Sequence, residues 1–250
     1  MKLTSAVRLL RVLVHLAEGL ATCALLFPLA GSARRDRLVA RWSRRLLGIC
    51  RIELAQHGAP LAHALLAANH VSWLDIFVIN AVAPSHFVAK AEIRAWPAMG
   101  WLAQRAGTIF IARGNRRDLR HTFKGIVDEL ERGQRVAFFP EGTTAAQGAL
   151  LPFHANLFEA AVDAAVPLQP LALAYLDAQG RAHPGVDFTG DISFAASMMT
   201  ILDGPPVRAT LIWLAPLEGR SAHRRDLSDA THKAIGSALA DLDLPGHATV

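Results

Sequence analysis

Residues 65–75 read LLAANHVSWLD, and the chain changes within them from an apolar strand to a helix. The apolar run 65–68 predicts a buried strand, and a second apolar run with helical spacing begins shortly after it. His70 therefore lies at a strand-to-helix junction, five residues before Asp75. At such a junction a carboxylate can fix the imidazole tautomer and stabilise the protonated ring. The spacing thus favours a catalytic pair.

Asp75 also has a purely structural interpretation. Ser72 and Asp75 fit the S-x-x-D pattern of a helix capping box, in which the acidic side chain serves only the helix start. The two roles are compatible, since one carboxylate can cap a helix and orient His70. A nucleophilic role for Ser72 is disfavoured, because a position two residues from the histidine gives awkward geometry.

The rest of the chain alternates short β-like runs with helix-like runs, which predicts an α/β domain with a largely parallel, mixed sheet flanked by helices. The predicted strands are 51–56, 65–68, 86–89, 108–111, 135–138, 168–174 and 209–214. The predicted helices are 74–82, 97–106, 115–132, 153–164 and 221–241. Glycines, prolines and polar residues make 178–196 the loosest segment, and we expect it to be an excursion over the surface.

The composition indicates contact with lipid. Of the 250 residues, 52% are hydrophobic and only 19% are charged, which is unusual for a soluble domain. The net charge of +5 favours anionic partners such as anionic lipid or a phosphorylated substrate. Nucleic acid is the weakest candidate, because basic residues are not interleaved with aromatics. Cys23 and Cys50 lie far from any motif and are predicted to be small buried hydrophobes in a reducing compartment.

The first fifty residues predict a membrane-associated helical hairpin with helices at 3–27 and 36–47, followed by an α/β domain at 51–250. The first helix is apolar but interrupted by charge, so a clean membrane span is not implied and the helix either crosses the bilayer or lies in it. An arginine-rich stretch follows, typical of a helix at an anionic cytoplasmic leaflet. A secretory signal or an ordinary charged surface helix are the alternatives.

Four segments carry candidate chemistry. They are NHVSWLD at 69–75, GTIFIAR at 107–113, FPEGTT at 139–144 and VPLQPL at 166–171. His70, Arg113 and the 141–144 segment each follow the end of a predicted strand. Because ligands gather at the carboxyl ends of parallel strands, we expect these residues to share one crevice.

In order and content, these segments resemble the glycerolipid acyltransferase family, of the 1-acyl-sn-glycerol-3-phosphate (lysophosphatidic acid) acyltransferase type. The resemblance covers residues 65–173. H-x4-D alone is weakly specific, but its combination with FPEGT and the GTIFIAR strand is strong.

The resemblance implies acyl transfer from a thioester, acyl-CoA or acyl carrier protein, to the hydroxyl of a lysophospholipid at a membrane surface. His70 would remove the hydroxyl proton and Asp75 would orient it. Backbone N–H groups of Gly142 and Thr143 would stabilise the oxyanion. No cofactor is required, and no histidine has metal-ligand spacing, so we expect no metal. The implied location is the cytoplasmic face of the inner membrane.

The acceptor's head group calls for its own binding residues. In family members that acylate lysophosphatidate, Arg113 and the FPEGTR segment bind the phosphate, so Glu141 and its neighbours are predicted substrate-binding residues. Here Thr144 stands where arginine is usual, and a hydroxyl lacks the fixed charge and planar fork that suit phosphate. Lys90, together with Arg116 or Arg117, is predicted to supply the missing charge. The alternative acceptor is a lyso-ornithine lipid or another non-phosphatidate lysolipid.

Two further function classes remain open at this point. A catalytically silent lipid-binding module would keep the fold and bind membranes without turnover. A hydrolase of acyl thioesters would release free fatty acid without an acceptor. The presence of His70, Asp75 and Glu141 speaks against the silent module.

Overall fold

Seven strands form one sheet in the order β1-β7-β6-β2-β5-β3-β4 in the computed structural model, which describes residues 3–111 and 116–242. Strands β2 to β6 are parallel to one another, while β7 is antiparallel to β6 and pairs with β1 in parallel. The strands are β1 Ile52–His57, β2 Leu65–Ala68, β3 His86–Lys90, β4 Ile109–Ile111, β5 Val136–Phe138, β6 Leu168–Leu176 and β7 Val207–Trp213. The predicted α/β class with a largely parallel sheet is confirmed.

Eight α-helices accompany the sheet within the described residues. They are α1 Leu3–Ala21, α2 Ser32–Ile49, α3 Asp75–Val82, α4 Met99–Arg105, α5 Arg116–Glu131, α6 Glu159–Asp163, α7 Phe194–Asp203 and α8 Arg224–Ala240. Helices α1, α2, α3 and α7 contribute to the hydrophobic core on one face of the sheet, and α5, α6 and α8 cover the other face.

The two central strands are buried on both faces. All four residues of β2 and all nine of β6 are buried. The sequence of such a strand is a continuous apolar run because helices cover both sides of the sheet. The turn that follows β2 is therefore anchored in the most rigid part of the molecule.

The N-terminal helices pack on each other as the predicted hairpin. The Trp42 indole N–H donates to the His15 carbonyl at 3.0 Å, and the two rings stack with centroids 4.5 Å apart. Gly19 permits this approach, because a Cβ there would come within 2.7 Å of the indole nitrogen. Residues Leu3–Leu29, including a π-helical and a 3₁₀ turn after α1, are long and apolar enough to cross a membrane.

The first and last residues of every predicted strand are within two residues of those of an observed strand. The helices were predicted less completely. Helix α7 was missed, and predicted helix 153–164 is a 3₁₀ turn, Ala155–Phe158, followed by the short α6. Residue 115 lies outside the described residues. As predicted, the segment 178–196 is irregular up to residue 193 and mostly exposed, but it is fixed to the core: Val186 is fully buried, and the Phe188 N–H donates to the Val71 carbonyl at 3.1 Å. Both cysteines are buried and free.

Candidate active site

His70 lies in the turn between β2 and α3, at the carboxyl edge of the parallel strands. Asn69 fixes the start of this turn, because its side-chain amide exchanges two hydrogen bonds with the backbone of Leu173 in β6, at 2.9 and 2.8 Å. The backbone N–H of His70 donates to Glu141 Oε1 at 2.7 Å. The turn is thus tied to β6 on one side and to the loop after β5 on the other.

The Asp75 carboxylate is fully buried and receives four donors. Its Oδ2 accepts from His70 Nδ1 at 2.7 Å and from the backbone N–H groups of Val71 and Ser72 at 2.8 and 3.0 Å. Its Oδ1 accepts from the Tyr175 hydroxyl at 2.6 Å. The predicted histidine–carboxylate pair is therefore formed, and Asp75 also binds the helix start, so the two interpretations of this residue hold together.

The capping box itself is only half made. Asp75 reaches back to the Ser72 N–H, but the Ser72 hydroxyl has no hydrogen-bond partner in the part of the chain that the structure describes. Ser72 is also fully buried, and its hydroxyl does not hydrogen-bond to His70 or Asp75. Nothing in this geometry activates Ser72 as a nucleophile.

The free side of the His70 ring faces outward. With Nδ1 donating to Asp75, the ring carries its proton there and leaves Nε2 as the basic nitrogen. Within the described residues Nε2 makes no hydrogen bond, and the side chain is 18% exposed. Phe139 stacks on the ring with centroids 3.9 Å apart and an interplanar angle of 9°. The imidazole is held in one plane with its basic nitrogen available to a substrate.

Glu141 braces the loop that follows β5. Its Oε1 accepts the His70 N–H, and its Oε2 accepts the Leu151 N–H at 2.9 Å. Burial raises the pKa of this carboxyl group, and the two backbone hydrogen bonds oppose that shift. Both oxygens thus hold backbone, while direct contact between Glu141 and a substrate stays a prediction.

The remaining predicted binding residues form a more open region. Gly142 has a φ of 69°, and its N–H donates to the Phe139 carbonyl at 3.1 Å, which closes a turn. Thr143 is exposed, and no hydrogen bond of the described residues uses its N–H. The Thr144 hydroxyl donates to the Phe188 carbonyl. Of the two predicted oxyanion donors, only the Thr143 N–H is therefore unengaged within the described chain.

The predicted basic residues differ in how far the structure describes them. Lys90 ends β3, where it lies opposite Ile111 of β4, and it is exposed. It reaches solvent at the same edge of the sheet as His70 and Glu141, because β2, β3 and β5 are parallel. Arg113 lies outside the described residues.

Comparison with known proteins identifies the family. Residues 51–174 match the family described as Acyltransferase. The chain is 37% identical over 213 residues to a 1-acyl-sn-glycerol-3-phosphate acyltransferase of Neisseria meningitidis, with 83% of this chain and 82% of that protein aligned. It is also 37% identical over 206 residues to a lyso-ornithine lipid O-acyltransferase of Pseudomonas aeruginosa, covering 82% and 79% of the two chains. The chain belongs to the acyltransferase family.

A solved structure has the same fold. The crystal structure of a 1-acyl-sn-glycerophosphate acyltransferase from Thermotoga maritima matches with a TM-score of 0.69 over 96% of this chain and 95% of that chain, at 19% identity. The match to the family and to the two relatives confirms the resemblance expected from the four segments, and the protein is an acyltransferase.

Three residues around the pair have no role in the prediction from sequence: Tyr175 and Gln147, which lie outside the four segments, and Phe139, which begins the FPEGTT segment. Tyr175 is the one tyrosine of the chain and lies in the apolar strand β6. Because a buried phenol needs a hydrogen-bond partner, a lone tyrosine in such a strand is a signal that could have been used. Phe139 and Gln147 offer no such signal, since their roles depend on the path of the loop after β5.

Proposed function

We propose that this acyltransferase moves a fatty acyl group from a thioester to the hydroxyl of a lysophospholipid, with lysophosphatidic acid as the acceptor. The observation that carries the proposal is the buried Asp75 carboxylate bound to His70 Nδ1, which leaves His70 Nε2 as a base facing solvent. The Neisseria relative named for this reaction aligns over most of both chains.

The chemistry follows from the ring geometry. His70 Nε2 takes the proton of the acceptor hydroxyl as the oxygen attacks the thioester carbonyl, and Asp75 stabilises the resulting imidazolium. The tetrahedral intermediate carries an oxyanion, for which the Thr143 N–H is a candidate donor. Collapse of the intermediate expels a thiolate, and the imidazolium returns its proton to that sulfur. The products are an ester and a free thiol, and no covalent acyl-enzyme or cofactor enters the sequence.

We propose that the acyl donor is a thioester of coenzyme A or of acyl carrier protein. Both present the same reacting group, so the His70 chemistry does not distinguish them. Parallel assays with palmitoyl-CoA and palmitoyl–acyl carrier protein, each with the same acceptor, separate the two donors by their kcat/KM values.

A second acceptor is favoured by one observation. Thr144 stands at the position where the lysophosphatidate enzymes carry arginine, and its hydroxyl is engaged by the Phe188 carbonyl. A phosphomonoester thus lacks a charged partner at that point. A lyso-ornithine lipid, whose head group carries an amine and a carboxylate, has less need of one, and the Pseudomonas relative is named for such an acceptor.

We further propose that the protein works at the cytoplasmic face of the inner membrane. Helix α1 carries an outward apolar stripe at helical spacing, formed by Leu3, Val7, Leu10 and Val14, each more than half exposed. Helix α2 adds a row of arginines suited to anionic lipid, Arg34, Arg35, Arg37, Arg41, Arg44 and Arg45. Together they form a surface that is apolar on one helix and basic on the next.

The central experiment measures acyl transfer by mass spectrometry with purified lysophosphatidate and lyso-ornithine lipid in separate reactions. We expect ester formation with lysophosphatidate and a loss of about 10³-fold for His70→Ala, since general base catalysis contributes on this scale. His57→Ala, an exposed histidine at the end of β1, is the matched control. Undiminished turnover in His70→Ala contradicts the proposal, as does release of fatty acid without acceptor.

Vesicle flotation tests the membrane proposal. We expect the full chain to float with vesicles that contain phosphatidylglycerol and to float less with neutral phosphatidylcholine vesicles. Leu10→Asp, which places a charge in the apolar stripe of α1, should reduce flotation on both. Equal flotation of this variant and the parent chain would contradict membrane contact through α1.

A further inference from the structure

We infer that Tyr175 is a positioning residue of the acyl-transfer reaction: its hydroxyl holds the Asp75 carboxylate in the form and orientation that make His70 a base. The inference rests on the proposed function, since it concerns the same reaction. Tyr175 lies on β6, 100 residues from Asp75 in sequence. It is outside the four segments that carry the candidate chemistry in the sequence.

The phenol completes the coordination of the carboxylate. Three donors reach Oδ2, while in the described chain the Tyr175 hydroxyl at 2.6 Å is the donor that reaches Oδ1. Asp75 is fully buried, so water does not replace a missing donor there. An ionised carboxylate without a partner on one oxygen is strongly destabilised in such a site. Tyr175 therefore favours the ionised form that His70 requires.

The phenol is also held as a permanent donor. Burial, followed by the charge of Asp75 and the hydrogen bond to it, raises the pKa of the Tyr175 hydroxyl well above its usual value. It keeps its proton throughout the pH range in which the enzyme works. A serine or a water molecule at this point would not be fixed in direction, whereas the phenol has one hydrogen and a rigid ring.

The backbone of Tyr175 is fixed on all sides. Its N–H donates to Gln147 Oε1 at 2.6 Å, and its carbonyl accepts the His183 N–H at 2.8 Å. On β7, Ala209 lies opposite it in the sheet. Gln147 belongs to the loop that also carries Glu141, so the same loop holds His70 by its backbone and Tyr175 by its backbone. This places the phenol and the imidazole in one rigid frame.

The electrostatic effect has a definite sign. In the described part of the chain, the ionisable groups that face the Asp75–His70 pair are Glu141 from the loop after β5 and Tyr175 from β6. A hydrogen bond from the phenol draws charge away from Asp75, and its loss makes the carboxylate more basic. A more basic carboxylate keeps the proton on the pair to higher pH, whether on His70 or on Asp75. In a variant without the phenol hydroxyl, the acid limb of the pH–rate profile therefore moves to higher pH.

The first test is Tyr175→Phe, which removes the hydroxyl and keeps the ring. We expect kcat to fall about tenfold at neutral pH, in line with the loss of a hydrogen bond to a charged group, with the KM of both substrates unchanged. The acid limb of kcat/KM should move to higher pH. Thr231→Val, which removes a fully buried hydroxyl in α8 that has no partner in the described chain, should change neither quantity.

The second test tunes the phenol instead of deleting it, and keeps the inference testable if Tyr175→Phe does not fold. Because Tyr175 is the one tyrosine of the chain, growth on fluorotyrosine modifies this position alone. A fluorinated phenol is a stronger hydrogen-bond donor, so we expect the acid limb to move to lower pH, opposite to the phenylalanine variant. The single ¹⁹F resonance should shift when Asp75 is replaced by asparagine.

The outcomes separate this inference from the proposed function. If the parent chain transfers no acyl group to any lysolipid, the proposed function fails. If the parent chain is active and Tyr175→Phe lowers kcat without moving the acid limb, Tyr175 acts only in packing and the inference is overturned. A fluorotyrosine profile that moves in the same direction as the phenylalanine variant also overturns it.

Discussion

The two sides of the active site are built differently. On the side of the reacting base, the carboxylates of Asp75 and Glu141 are buried, and each of their oxygens accepts at least one hydrogen bond. On the head-group side, Lys90 and Thr143 are exposed, and the Thr144 hydroxyl donates to a backbone carbonyl. The chemistry is fixed by a closed network, whereas recognition of the acceptor depends on a few separate side chains.

The physical reason for this difference is desolvation. A buried charge that loses one partner has no water to replace it, so a closed network tolerates no single change. An exposed charge is solvated in either case and contributes little when it is lost. We therefore expect substitutions on the base side to lower the rate with every acceptor, and substitutions on the head-group side to change which acceptor is preferred.

Of the substitutions Glu141→Gln, Thr144→Arg and Lys90→Ala, we expect Glu141→Gln to have the largest effect on turnover. One oxygen of the amide still accepts a backbone N–H, but its NH₂ group then faces the other backbone donor, of His70 or of Leu151. We expect turnover to fall at least tenfold with both acceptors and the chain to lose about 2–4 kcal/mol of stability, as for a buried charged hydrogen bond replaced by an unsatisfied pair. Steady-state kinetics and denaturation in detergent measure the two effects, with exposed Glu53→Gln as the control.

The same variant gives a pH signature with a definite sign. Burial raises the pKa of Glu141 above its usual value of 4.5, so the folded state binds this proton more tightly than the unfolded state. The stability that this proton provides is complete below pH 4.5 and is lost as the pH rises through the folded-state pKa. Glutamine does not titrate, so the stability gap between parent and variant should narrow as the pH rises through this window. A gap that widens would contradict the raised pKa.

The base side was partly predictable from sequence because His70 and Asp75 are close neighbours in the chain. Each strand was predictable because its apolar run is bounded by turn residues. The contact between Tyr175 and Asp75 was not predictable: the lone tyrosine signals that a partner is needed, but the partner is Asp75 only because β6 lies beside β2 in the sheet, an order that local patterns do not encode. Helix α7 was missed for a related reason: its run of small and apolar residues follows a polar segment and gains its place by packing against α1 and Trp73.

Thr144→Arg should sharpen the comparison by changing acceptor preference. The guanidinium supplies the planar, charged fork that a phosphomonoester prefers, and a charge-assisted hydrogen bond of about 1.5–3 kcal/mol corresponds to tenfold or more. We expect kcat/KM for lysophosphatidate to rise about tenfold relative to lyso-ornithine lipid. Competition assays with both acceptors in one vesicle measure the ratio directly.

The control for that substitution is Thr144→Val, which removes the hydroxyl bond to the Phe188 carbonyl without adding charge. If valine changes the acceptor ratio as much as arginine does, the effect comes from release of the segment around Phe188. If neither changes it, Thr144 does not lie near the head group, and the reading of this position as the acceptor determinant is wrong.

Lys90→Ala should have the smallest effect, because the ammonium group is exposed at the end of β3. Its attraction for an anionic head group is worth roughly 0.2–1 kcal/mol, so the acceptor KM should rise by a factor of about 1.4 to 5 while kcat is unchanged. High salt should remove most of the difference, since exposed charges are screened over a distance of about 10 Å at 0.1 M ionic strength. Lys233→Ala, on α8 across the sheet, is the matched control. A fall in kcat without a change in KM would instead put Lys90 among the groups that act on the reacting atoms, and the division between a closed base side and an adjustable head-group side would no longer hold.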